Sequence, residues 1–215
     1  MPYKLAIFDF DGTLADSFPW FLGMVNGLAD EHGFRRVEEH EIERLRGQGA
    51  RQVVGHLGVP AWKLPRIAHQ MRRQMTRDIG GISPFPGVDR LLRDLTARGI
   101  GLAVVTSNSL DNVRRVLGPD SAALIRHYGC GASIFGKRPK LRAVLRDSGV
   151  PAAEAICIGD EIRDLEAARA EGIPFGAVTW GYTTPEALRA ENPEEVFASL
   201  EEIPRKLGRG LNPRP

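Results

Sequence analysis

Cysteine is scarce in this chain of 215 residues: Cys130 and Cys157 are the only two. A single pair cannot build a disulfide framework or a four-cysteine zinc site, so a reduced, cytoplasmic setting is the simpler expectation. Long hydrophobic runs are missing too. The first apolar stretch, Leu5-Ala6-Ile7-Phe8, stops at Asp9, short of a signal-peptide core. Nothing approaches the roughly 20 apolar residues that span a bilayer. Charge of one sign is also missing. The 29 Lys and Arg against 27 Asp and Glu leave a formal +2, too slight to argue for nucleic acid or an anionic membrane as partner. There is no internal repeat or low-complexity tract. What remains is ordinary globular material, 42% apolar and 26% charged, enough for one domain carrying an insert. The stretch from Gly208 to Pro215 has little to bury and reads as a loose tail.

Short apolar runs ending in polar or glycine residues organise the chain. Leu5–Phe8 runs into Asp9-Phe10-Asp11-Gly12-Thr13, Gly101–Val105 into Thr106-Ser107-Asn108, Ala155–Ile158 into Gly159-Asp160, and Phe175–Trp180 into Gly181-Tyr182. Continuous apolar strands indicate a parallel sheet covered on both faces. Helical patterns lie between them. Val88, Leu91, Leu92 and Leu95 share one face before Gly99, Ser109 can cap a helix that Gly118-Pro119 ends, and Leu165–Glu171 closes at Gly172. The expected fold is α/β, a doubly wound, Rossmann-like parallel sheet. The interval after the first strand exceeds any crossover, and from Phe18 to about Ser83 it reads as helical. We therefore expect a core of residues 1–16 and 86–215 with an all-helical cap domain over 17–85.

In such folds ligands gather at the carboxyl ends of the strands. Strand one delivers Asp9 and Asp11, which as alternate residues of an extended chain face one pocket. Strand two delivers Thr106, Ser107 and Asn108 just ahead of a helix start, where free N–H groups attract anions. A strand expected near Ser133-Ile134-Phe135 ends at Gly136-Lys137, and the strand at 155–158 delivers Asp160, with Asp164 one helical turn later. Clustered carboxylates repel one another unless a cation joins them, and all-oxygen ligation suits Mg²⁺. A hydroxyl, helix-start amides and a lysine beside that cation suit a phosphoryl group.

Asp9-Phe10-Asp11-Gly12-Thr13-Leu14-Ala15-Asp16-Ser17 resembles the first motif of haloacid dehalogenase superfamily phosphatases. Thr106, Lys137 and Gly159-Asp160-Glu161-Ile162-Arg163-Asp164 are similar to the second, third and fourth motifs, in order. The helical segment resembles the cap of the phosphoglycolate phosphatase-like branch. The resemblance implies that Asp9 attacks phosphorus and that Asp11 protonates the leaving alcohol and then activates water. It implies Mg²⁺ held by Asp9, Asp160 and the Asp11 carbonyl, phosphoryl oxygens bound by Thr106 and Lys137, and Asp164 as partner of the metal or of Lys137. Asp11 itself argues against dehalogenation, because the founding dehalogenases lack an acid there.

The expected activity is a Mg²⁺-dependent phosphatase acting on a small phosphorylated metabolite, as a monomer or weak homodimer. A phosphomutase shares the four motifs, and a non-catalytic binding protein is the alternative from another class. Lys140, one turn beyond Lys137, is a rival for the third motif; Lys137 is preferred because it follows the strand end, whereas Lys140 is expected to face solvent. Arg46 and Arg51 flank a glycine-containing loop where related caps face the substrate, and either is a candidate contact for an anionic substrate.

Overall fold

In the computed structural model, residues 3–132 and 136–208 are described. The expected strand at 133–135 and nearly all of the expected tail therefore lie outside the described residues. Six strands, β1 (Leu5–Phe8), β2 (Gly101–Val105), β3 (His127–Gly129), β4 (Ala155–Gly159), β5 (Phe175–Val178) and β6 (Glu195–Phe197), form one parallel sheet in the order β3-β2-β1-β4-β5-β6. The four interior strands are the apolar runs of the sequence. The fourth run stops at Val178, sooner than its composition suggests.

Alternation along β1 builds the two faces. Ala6 and Phe8 join one apolar cluster with Leu92 and Leu95 of α5 (Val88–Ala97). Leu5 and Ile7 join the other, with Leu141 of α7 (Arg138–Ser148) and Leu165 of α8 (Ile162–Arg169). Between β2 and β3, Ser109 caps α6 (Leu110–Leu124) by accepting the Asn112 N–H at 3.2 Å. Gly118, with φ 74°, breaks that helix as expected, but a further helical stretch follows Pro119. Short helices α9 (Pro185–Ala190) and α10 (Glu202–Leu207) complete the chain. Among the described residues, no helix is long and apolar enough to cross a membrane.

Between β1 and α5 the chain forms α1 (Phe18–His32), α2 (Ile42–Arg46), α3 (Ala50–His56) and α4 (Leu64–Asp78). Gly33 ends α1 in the left-handed region, and Pro65 lies in the first turn of α4. The outgoing and returning chains run side by side. The Asp16 N–H donates to Ser83 O at 2.9 Å, and the Phe85 N–H donates to Leu14 O at 2.9 Å.

Candidate active site

The sheet register sets the site. Phe8 lies opposite Val104 on β2 and Ile158 on β4, so the residues that leave these strands emerge side by side. Asp9 leaves β1 first, its N–H donating to Ile158 O at 2.8 Å. Its carboxylate meets the Lys137 ammonium at 2.7 Å, and the same ammonium lies 2.6 Å from Asp164. Lys137 precedes α7 and Asp164 lies in the first turn of α8, so the two helices bring cation and anion together over the β1 end.

Asp160 is fully buried just past β4. It accepts the Thr13 hydroxyl at 2.7 Å and the Tyr182 N–H at 2.8 Å. The chain wraps it so tightly that a Cβ at Gly12 or Gly181 would overlap its side chain. Gly12 also has φ +76°, a conformation that glycine adopts without strain.

Asp11 sits on the other side, with the Asn108 amide 3.3 Å from each of its carboxylate oxygens. The Asn108 N–H in turn donates to Thr106 Oγ1 at 3.0 Å, locking the buried residue that follows β2. Asn108 also reaches α4, donating to Met75 Sδ at 3.0 Å. Ser107 is exposed at the strand end.

The electrostatics separate these carboxylates. Burial opposes charge on Asp9, yet Lys137 beside it and a contact with Asp164 hold its carboxyl below the usual range. Burial, and then the charge of Asp9, push Asp11 up to about 6. Burial, then Asp9 and Glu161, push Asp160 up to about 8, and burial and Asp9 raise Asp164 as well. Burial works against the Lys137 ammonium, but Asp164 and Asp9 outweigh it and raise its pKa.

Asp9, Asp160 and Asp164 are all buried, and each offers a carboxylate oxygen within 4.8 Å of the others. Charges packed this closely are what a metal ion relieves. These three residues could hold a metal ion, and an all-oxygen set fits a hard one. Asp164, expected as a partner of the metal or of Lys137, is paired by the structure with Lys137 and set beside Asp9 and Asp160.

Lys140 does not face solvent as expected. It lies in the first turn of α7, half-buried, and its ammonium donates to Thr106 O at 2.6 Å and to Gly131 O. Orphan carbonyls at the strand end attract it. Arg46 is likewise engaged: it donates to Tyr182 O at 3.0 Å and Gly181 O at 2.8 Å, and its guanidinium lies over the Phe18 ring. Arg51 is exposed on α3, and among the described residues it makes no bond to the aspartates. Thr13 and Tyr182, which the motifs do not single out, bond to Asp160. Their signal was position: each follows a glycine at the carboxyl end of a strand.

A family model for haloacid dehalogenase-like hydrolases matches residues 6–178. The chain belongs to this family. A phosphoglycolate phosphatase from Synechococcus elongatus is 34% identical over 92% of this chain and 93% of its own length. An N-acetylmuramic acid 6-phosphate phosphatase from Pseudomonas aeruginosa is 26% identical over 96% of the chain and 94% of its own. Among solved structures, a candidate phosphoglycolate phosphatase from Lactobacillus plantarum superposes with a TM-score of 0.81 at 22% identity, covering 96% of this chain and 100% of that one. That likeness establishes the haloacid dehalogenase-like fold. The family and the curated relatives indicate a phosphatase.

Proposed function

We propose that this chain is a Mg²⁺-dependent phosphatase of small phosphomonoesters that works through an aspartyl-phosphate on Asp9. The observation that carries the reading is the placing of the two carboxylates: Asp9 meets the Lys137 ammonium at 2.7 Å, while Asp11 is held by the Asn108 amide. Two carboxylates two residues apart, one held ionised and one pushed up to about 6, match the division between nucleophile and proton donor. Asp9 attacks phosphorus, and the bond to the leaving oxygen breaks as Asp11 delivers its proton. Asp11, now ionised, takes a proton from the water that cleaves the acyl phosphate. Lys137 offsets charge on Asp9 and on the phosphoryl oxygens, and Asp164 orients Lys137. Thr106, Ser107 and Asn108 at the start of α6 receive the other phosphoryl oxygens. Asp9, Asp160 and the Asp11 carbonyl would hold Mg²⁺, which when bound neutralises charge on the phosphoryl group.

In this reading residues 17–85 are a cap on a core of 1–16 and 86–215, and they exclude water from the site. Arg46 holds the closed cap to the core loop at Gly181 and Tyr182. The setting is the cytoplasm, and the chain acts alone or as a weak homodimer.

The test is phosphate release from a panel that includes phosphoglycolate, with Mg²⁺ and with excess chelator. Release should stop on chelation and return with Mg²⁺, while Ca²⁺ substitutes poorly because it favours larger, looser coordination. Labelled phosphate trapped by acid quench should map to Asp9, and Asp9→Asn should trap none. A label on serine or histidine, or full turnover in chelator, contradicts the reading.

A further inference from the structure

The helices of residues 18–81 are hollow. An apolar cavity of about 300 Å³ lies among them, walled by Leu22, Val53, Ala68 and Met71 among others. Val25, Leu28, Leu45, Leu57 and Ile67 are buried around it, yet none joins either apolar cluster that packs on the sheet. A cavity twice the size of one that binds benzene (about 150 Å³) and lined by aliphatic side chains is built to take apolar matter.

The lining also carries polar residues, and two of them adjoin the catalytic aspartates. The polar residues are Arg46, Gln48, Glu161, Tyr182 and Thr183. Glu161 follows Asp160 in the chain, and Tyr182 donates its N–H to the Asp160 carboxylate. The Tyr182 hydroxyl lies 3.1 Å from Ser17 Oγ, and Ser17 neighbours the Asp11 carboxyl. The ring of Tyr182 packs edge-on against Phe18, 4.9 Å between centroids, and against Phe21 at 5.7 Å. One side chain thus lines the cavity and reaches, through Ser17, the proton donor of the leaving group.

We propose that the cavity receives the carbon skeleton of the leaving alcohol, so that the enzyme selects phosphomonoesters with an apolar alkyl or aryl alcohol over those with a charged one. This rests on the phosphatase reading above. The Asp11 side of the phosphorus is where the leaving oxygen must sit, and from there the Tyr182–Phe18 wall leads into the cap. A glycolate carboxylate placed along the same path would lose its hydration and meet aliphatic carbon.

The experiment compares kcat/KM of the full-length enzyme for methyl, butyl and hexyl phosphate and for phosphoglycolate, with Mg²⁺ present. The value should rise up to about fourfold per methylene, the limit set by burying one CH₂. Ala68→Trp, which fills the cavity, should flatten the series. Calorimetry gives a second readout without turnover: hexylphosphonate should bind the wild type more tightly than methylphosphonate. A flat alkyl series, in an enzyme that does turn over phosphoglycolate, overturns the apolar assignment alone. Absence of phosphate release from every compound overturns the phosphatase reading and the assignment with it.

Discussion

At the scale of single residues, the two lysines before and within α7 have different work. Lys137 lies between Asp9 and Asp164, whereas Lys140 ties Thr106 O to Gly131 O. Lys137→Ala removes a desolvated cation from the reacting group and should lower kcat about 10²–10³-fold, the scale of one lost electrostatic donor. Lys140→Ala leaves two carbonyls short of a donor and should act mainly on the fold, costing about 1–3 kcal/mol. Steady-state kinetics beside denaturant unfolding separates the two. A Lys140→Ala enzyme as inactive as Lys137→Ala would reverse the assignment. The legibility of these residues was uneven for a physical reason. Asp9, Thr106 and Asp160 are legible because each directly follows an apolar strand, whereas the strand expected before Lys137 lies outside the described residues. The contacts of Thr13 and Tyr182 with Asp160 are not legible, because each depends on how segments 147 and 22 residues apart are folded together.

At the scale of elements, burial decided what the sequence could reveal. β1, β2, β4 and β5 are covered on both faces and so are written as apolar runs. β3 and β6 are three-residue edge strands, only partly buried, and His127-Tyr128-Gly129 carries no strand signature. An edge strand needs one neighbour and little apolar surface, which explains why composition does not mark β3. The start of α6 offers a test of element and site together. Ser109→Ala removes the N-cap acceptor for Asn112 and should cost about 1 kcal/mol. Because Asn108 immediately precedes that cap and holds Asp11, turnover should fall alongside the melting temperature. Unchanged stability would show that the cap bond contributes nothing.

At the scale of the whole molecule, the metal and the protons compete for one set of carboxylates. In chelator, Asp160 and Asp164 keep protons that the unfolded chain releases near pH 4, because their folded pKa values are raised, that of Asp160 to about 8. The Asp160 contribution is full below about pH 4 and is lost as pH rises to about 8, and Asp164 acts in the same sense. Asp9, held low, works in the opposite sense, and its contribution fades as pH falls below about 4. The melting temperature of the chelated protein should therefore decline between about pH 5 and about pH 8. Added Mg²⁺ should raise it most at the alkaline end, where no proton is left to displace. Scanning calorimetry across pH, with and without Mg²⁺, checks this. A Mg²⁺ gain that shrinks with rising pH would contradict it.

The paired bonds Asp16–Ser83 and Leu14–Phe85 have a consequence for modularity. They keep the two severed ends of the core within hydrogen-bond reach of each other, whatever lies between. If the proposed division into core and cap holds, the helices behave as a cassette: excised between residues 17 and 82, they should leave a gap that a short glycine turn can close, and folding of that shortened chain checks it. A chain shortened in this way keeps every strand of the sheet and all four aspartates of the site. It is the natural scaffold on which to graft a differently shaped chamber and so choose a new alcohol for the same phosphoryl chemistry.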